Sequence, residues 1–347
     1  MLKSLYIAIK GSDSYIRFVL LTGVSKFAQT SIFSGLNNLE EISLDVEYAT
    51  LLGYTEKELK KYFVPHVARL GKKDAIDSET VVDKLRKNYN GYLFAFDSVP
   101  MFNPFSVLNC LKKKKWVNFW FGTGTPSFLI KLIKTGQYSL DRVYQPVMST
   151  NELGAFEPES VKINALLYQT GYLTIKKYDP VIDVYTLDFP NYEVASAFNL
   201  LVSTSFTQLT EDQTKNYAAQ ILQTFARKDM AELQAVLQNF FNEMPYNVHI
   251  KREFDLHIII FSVFKLIGIE VDPEVVTSLG RADLVVSLPK LVYVIELKFN
   301  GSAAQALEQI KDKKYYEKYE NTGKQITLIG INFDEPTKTV SLEACGV

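Results

Sequence analysis

The sharpest hydrophobic and polar patterning lies near the end of the chain. Gly280-Arg281-Ala282-Asp283-Leu284-Val285-Val286 is an apolar run carrying one Asp, and Tyr293-Val294-Ile295-Glu296-Leu297-Lys298 is a second carrying Glu-x-Lys. Side chains alternate along a strand, so Glu296 and Lys298 share a face while Tyr293, Ile295 and Leu297 take the other. Between the runs, Ser287-Leu288-Pro289-Lys290 predicts a hairpin turn with Pro at its first central position. A loop from Leu288 to Leu291 pairs Ser287 with Val292. Counting back, Asp283 falls opposite Glu296, with Cβ atoms about 5 Å apart. Phe254, Ile258, Phe261 and Phe264 recur at roughly helical spacing within Lys251–Gly268. Ile269–Ser278 reads as a strand, Ser302–Tyr319 as a helix and Gln325–Phe333 as a closing strand. The last hundred residues thus run helix, three strands, helix, strand.

Upstream the pattern is mainly helical. After a helical stretch from Met1, Phe18–Leu21 reads as a short buried strand. Tyr48–Gln137 reads as a helical lid, with Thr55 and Glu58 forming a capping box and Asn103-Pro104 opening a further helix. Asn88-Tyr89-Asn90-Gly91-Tyr92 reads as a turn. Gly122-Thr123-Gly124-Thr125-Pro126-Ser127 reads as a helix start with Thr125 as N-cap, and Trp120 packs the lid. Tyr172–Ile175 and Asp183–Tyr185 are short strands. Asp188-Phe189-Pro190-Asn191 launches a helix from Tyr192, broken near Thr210 and continuing to Phe240.

Composition narrows the picture. The 347 residues are 47% hydrophobic, with 23 Phe and 20 Tyr, which suits about two or three packed domains and weighs against disorder. No apolar stretch is long enough to span a bilayer, and Lys10, Ser12 and Asp13 interrupt any signal-peptide pattern. Cys110 and Cys345 stand far apart, with no CxxC or Cys/His cluster, which points to a reducing cytoplasm and away from zinc. His66 and His249 stand alone. The net charge of −1 shows no basic excess. Lys112–Lys115 reads as a solvated helix end, whereas Lys311, Lys313, Lys314 and Lys318 lie beside the hairpin chemistry.

Charge within an apolar strand is costly unless it binds something. Asp283 and Glu296 at the predicted spacing can share a hard divalent cation, with Lys298 reaching the attacking water or a phosphate. The bland alternative is a solvated hairpin face with a cross-strand salt bridge, and the apolar flanks weigh against it.

At these residues the chain resembles the PD-(D/E)XK nuclease superfamily, specifically the C-terminal domain of bacterial AAA-ATPase-like proteins. The resemblance implies a multi-domain α/β chain. Residues 1–160 would be the C-terminal part of an AAA-like core with its lid, 161–245 a connecting region, and 246–347 a restriction-endonuclease-like α-β-β-β-α-β domain. Asp283 and Glu296 match the metal-binding acids and Lys298 the catalytic Lys. Glu253 matches the auxiliary helix Glu, with His257 one turn later, and Gln309 and Lys313 match a supporting position. Ala282 stands where the superfamily name expects Pro. Thr22, after Phe18–Leu21, matches a nucleotide-sensing position, and Ser31–Leu39 also suits the ATPase-like family. No Gly-x4-Gly-Lys-Ser/Thr string or Asp-Glu strand end occurs, so the chain reads as beginning after both, and ATP hydrolysis is not expected. The resemblance implies Mg²⁺ or Mn²⁺ as cofactor and nucleic acid as partner, DNA ahead of RNA. A protein partner or second copy is also open. A non-catalytic binding module that keeps the nuclease fold is the alternative.

Overall fold

Single polar residues at helix ends organise the first half of the chain. The computed structural model describes residues 2–23, 40–120, 127–135, 143–154, 163–246, 248, 250–266, 270–277 and 280–347. Helix α1 spans Leu2–Gly11. Helix α2 (Glu56–Tyr62) starts at Thr55, whose hydroxyl accepts from Glu58 N at 3.2 Å while the Glu58 carboxylate accepts from Thr55 N at 2.8 Å. This is the expected capping box. Helix α3 (Val64–Asp74) follows, then α4 (Ser78–Tyr89) capped by Asp77 and α5 (Pro104–Lys113) capped by Asn103. Leu59, Leu70, Leu85, Tyr89, Val107 and Leu111 bury their apolar faces in one cluster. Helix α6 spans Ser127–Lys134.

A three-stranded antiparallel sheet follows, ordered β1-β3-β2, from β1 (Val147–Ser149), β2 (Thr174–Asp179) and β3 (Val184–Asp188). Helices α7 (Thr150–Gly154) and α8 (Ile163–Gln169) lie between β1 and β2. Trp120 packs edge-on against Tyr172, with ring centroids 5.0 Å apart. Gly91 sits at φ +106°, a backbone conformation that favours glycine, and a Cβ there would lie 2.1 Å from Pro190 O. Helix α9 (Tyr192–Thr207) brings in Glu193, which is fully buried. Its carboxylate accepts from Ser106 Oγ at 2.6 Å, from Trp120 N at 2.9 Å and from Phe119 N. Burial raises this carboxyl above its ordinary value.

The expected buried strand at Phe18–Leu21 is not formed. The backbone there is irregular, and Phe18, Leu20 and Leu21 are 78%, 55% and 41% exposed. Four apolar residues make a strand only when neighbours pair with them. Thr22 is likewise exposed. Ser31–Leu39, Thr125, Pro126 and His249 lie outside the described residues. Among the described residues, no helix is long and apolar enough to cross a membrane.

The chain divides into two compact units, Met1–Leu129 with Tyr138–Ala195, and Ile130–Gln137 with Ser196–Val347. In the second, α10 (Glu211–Arg227) is capped by Thr210 and α11 (Met230–Asn242) by Asp229. The single helix expected over Tyr217–Phe240 is therefore two, separated where Lys228 turns left-handed at φ 60°. Then come α12 (Glu253–Leu266), β4 (Glu270–Thr277), β5 (Gly280–Ser287), β6 (Leu291–Phe299), α13 (Ala303–Asp312), β7 (Gln325–Asp334) and β8 (Thr339–Gly346). The five strands run in that order across one sheet, antiparallel except for β6 beside β7. That parallel pair requires a crossover, and α13 supplies it.

Both faces of the sheet are covered. On one, Leu307 and Ile310 of α13 join Val285, Val292, Val294 and Leu328. On the other, the Tyr293 ring lies 4.8 Å from that of Phe225 on α10, and its hydroxyl donates to Phe225 O at 2.6 Å. Phe225 also meets Phe264 of α12, at 5.4 Å. Phe241 of α11 packs on Phe333, at 4.6 Å. Gln238 of α11 donates to Lys338 O and accepts from Val340 N, both at 2.8 Å, while Gln234 donates to Val340 O at 3.1 Å.

Candidate active site

The β5–β6 hairpin adopts the expected register, with Ser287 opposite Val292 and Leu284 opposite Ile295. Leu288 and Leu291 also exchange backbone hydrogen bonds, at 2.8 and 3.4 Å, which tightens the loop to Pro289-Lys290. The ladder ends one pair short of Asp283 and Glu296. At that point the Asp283 carboxylate takes the place of a backbone acceptor, and Leu297 N donates to its Oδ2 at 2.8 Å. The strands part at the acids, and Asp283 is aimed by the backbone of β6.

Glu296 is 2% exposed. Lys298, two residues along on the same face, brings its Nζ within 3.3 Å of Glu296 Oε1. Gln309 of α13 donates to that same oxygen, and its Nε2 is 3.5 Å from the hydroxyl of buried Tyr315. Glu296 Oε2 is buried without a hydrogen-bond partner among the described residues. Burial, followed by the charge of Asp283, pushes the Glu296 carboxyl well above the usual carboxylate range, against the pull of Lys298.

The approach of α13 depends on Gly330. In the β6–β7 register Gly330 lies beside Glu296. A Cβ on it would meet Ala303 O at 2.2 Å and Leu307 N at 2.7 Å. The helix backbone rests on the strand backbone there. Ala303, Ala306, Leu307 and Ile310 are buried on this side of α13, so Gln309 is carried to Glu296 by a helix seated at glycine distance.

Helix α12 supplies the outer groups. His257 Nε2 lies 3.5 Å from Asp283 Oδ2 and 3.8 Å from Glu253 Oε1. Burial lowers the imidazole to about 4, so the ring is neutral at neutral pH. Glu253 is half-exposed at the first position of α12 and meets the centre through His257. Lys313, at the C-cap of α13, is exposed, and no described contact ties it to Glu296. Of the two supporting positions on α13, only Gln309 reaches the acids.

Two further residues frame the site and escape a reading of the sequence. Asn332 is 4% exposed, lies beside Lys298 in the register, and accepts from Gly301 N at 2.9 Å. It anchors the turn between Lys298 and α13. Its one signal is a polar side chain inside the apolar run Ile329–Phe333. Tyr315, which backs Gln309, gives no signal at all.

Among the described residues no group of three or more His, Cys, Asp or Glu is placed to hold a metal ion. The unpartnered Glu296 oxygen beside the charge of Asp283 fits a hard cation that keeps most of its own water and takes one or two carboxylates.

A protein described as an uncharacterized protein in the vnfD 5' region of Azotobacter chroococcum mcd 1 is 34% identical over 349 residues, covering 98% of this chain. The chain spans 65% of the length of that relative. No solved structure matches. Residues 251–343 match the family model of the PD-(D/E)XK nuclease superfamily. The segment that builds α12, the β4–β7 sheet and α13 is thus a PD-(D/E)XK nuclease superfamily domain.

Proposed function

We propose that the C-terminal domain hydrolyses phosphodiester bonds in nucleic acid, DNA ahead of RNA, with a divalent cation on Asp283 and Glu296. The observation that supports this most is the gathering of the Lys298 amine and the Asp283 charge around Glu296, whose buried Oε2 has no hydrogen-bond partner among the described residues. Mg²⁺ or Mn²⁺ bound there supplies an acidified water and neutralises charge on the phosphoryl group. The protein's own groups have separate tasks. Asp283 is oriented by Leu297 N, and Glu296 by Gln309. The Lys298 ammonium, held against Glu296, is the donor to a phosphate oxygen or to the attacking water. Neutral His257 lies beside Asp283, 3.5 Å from its Oδ2, without adding charge. Glu253 is the candidate to order a second cation's water.

The test is cleavage of plasmid DNA and of RNA by the purified chain in Mg²⁺, Mn²⁺ or EDTA. Activity should appear only with metal, and Glu296→Ala should lower it at least about 100-fold, since even groups behind a ligand are worth about 10–100-fold. Undiminished cleavage by that variant would assign the activity elsewhere.

One observation favours the alternative, a non-catalytic binding module: Lys298 is already paired with Glu296, which offsets one of the two acids without metal. Calorimetric titration separates the two readings. Absence of heat with millimolar Mg²⁺ or Mn²⁺ would favour the module.

A further inference from the structure

The near-neutral net charge conceals a strongly polarised distribution. Residues 59–73 contain Lys60, Lys61, Arg69, Lys72 and Lys73 but no Asp or Glu, and residues 98–140 contain Lys112–Lys115, Lys131 and Lys134 and again no acid. The first stretch builds α3 and the second builds α5, and the two helices pack together. Between them lies an open groove of about 640 Å³, lined by Phe63, His66, Arg69, Leu108, Lys112 and Lys114 among others.

Helix dipoles account for part of this charge. Lys72, Lys73, Lys112 and Lys113 occupy last turns, where cations are favoured. They do not account for Arg69 or His66, which sit further back on α3. Arg69 donates to Pro65 O at 3.1 Å and contacts His66 Nδ1 at 3.0 Å. No carboxylate among the described residues pairs with Arg69, Lys112 or Lys114. The nearest acid in sequence, Asp74, is already held by Trp116 Nε1 at 2.6 Å and lies 3.7 Å from Lys73. The groove also has an apolar side, with Leu108 45% exposed next to Phe63.

From this we infer a second polyanion site: the α3–α5 groove binds a strand of nucleic acid, with phosphates on Arg69, Lys112 and Lys114 and a base against Phe63 and Leu108. A single-signed groove with an apolar floor is what a flexible strand requires, because phosphates and unstacked bases are recognised together. The choice of nucleic acid over other polyanions rests on the phosphodiesterase reading of the C-terminal domain. The groove lies in the other compact unit and uses none of the cleavage residues.

The experiment uses the full chain and a fluorescent 20-nucleotide single-stranded DNA probe in EDTA, so that binding is read without metal or cleavage. Arg69→Ala with Lys112→Ala should weaken binding at least about tenfold. It should also flatten the dependence of log affinity on log salt by about 1.4, the value for two single-strand phosphate contacts. Lys57→Ala with Lys215→Ala removes the same charge from exposed sites elsewhere and should leave the slope unchanged. Equal weakening by both pairs, no effect of the groove pair, or binding to anionic phosphatidylserine vesicles but not to the probe would each overturn the proposal. Failure of the cleavage reading registers separately, as no product from the unmodified chain in Mg²⁺ or Mn²⁺.

Discussion

Gly330→Ala is expected to unseat α13 and, with it, the support of Glu296. The new Cβ would lie 2.2 Å from Ala303 O, and contacts under 3.0 Å are essentially never seen. The helix must therefore retreat by about 0.8 Å from the sheet to relieve that contact alone. Ala303 O and Leu307 N are backbone atoms, so no side-chain rotation can absorb the change. Overpacking of this kind costs about 1–3 kcal/mol, which lowers the unfolding midpoint by about 2–4 °C per kcal/mol in a unit of this size. Both tryptophans, Trp116 and Trp120, lie in the first compact unit. Far-ultraviolet circular dichroism and amide exchange over Ala303–Asp312 are the appropriate readouts, rather than tryptophan fluorescence. Gly346→Ala is the control, since a Cβ there meets nothing within 4 Å. Adding Ala306→Gly removes only the 3.1 Å side-chain contact and should not restore stability. A Gly330→Ala protein that melts with the parent and protects α13 equally would refute the claim that the backbones touch here.

Other expectations follow from single groups. Glu193→Ala leaves the part-buried Phe119 N and Trp120 N without that acceptor and should cost about 2–5 kcal/mol in urea unfolding, whereas Glu193→Gln, which keeps an acceptor oxygen, should cost much less. Burial raises the Glu193 carboxyl, so the folded protein holds its proton more tightly than the unfolded chain does. Stability relative to Glu193→Gln should then fall as pH rises above the ordinary value of 4.5 and level off beyond the raised one; a difference that grows with pH would contradict this. Glu56 behaves oppositely: Arg86 binds it through two 2.8 Å contacts and lowers it to about 2. That pair is half-exposed, so Arg86→Ala should cost only about 0.5–1 kcal/mol. The contribution is complete above pH 4.5 and lost as pH falls towards 2, so acid titration of both proteins should converge. Gln309→Ala should reduce metal affinity or cleavage about 10–100-fold, measured against a Lys313→Ala control that changes little.

The C-terminal helices and strands were legible because their patterning and turn chemistry agree. Pro289 between two apolar runs fixes the hairpin, and the runs tolerate one register. The parting of the ladder at Asp283 was not legible, because it arises from a side chain competing for Leu297 N. The interruption at Lys228 is hidden for a related reason. Ile221 and Phe225 before it and Leu233 and Val236 after it all read as one helical face, and neither Gly nor Pro marks the stop. Asp229, capping through Glu232 N at 2.8 Å, does so instead. Strand β8 escapes notice because only Val340 in it is buried. Phe18–Leu21 errs in the other direction, since an apolar run says nothing about whether a neighbour is present to pair with it. Glu296 and Lys298 could be placed on one face from alternation alone. That Gln309 reaches them depends on Gly330, which pattern reading passes over.

The two glutamines of α11 have a consequence for the molecule in a crowded solution. A sheet ends in a row of unmet amide and carbonyl groups, and such a row recruits strands from other molecules. The Gln238 side-chain amide offers one donor and one acceptor to β8, as a neighbouring strand would, and Gln234 adds a donor. Side chains thus blunt the start of β8 where no further strand pairs with it among the described residues, and shortening Gln238 to Ala would leave a sticky margin open to self-association.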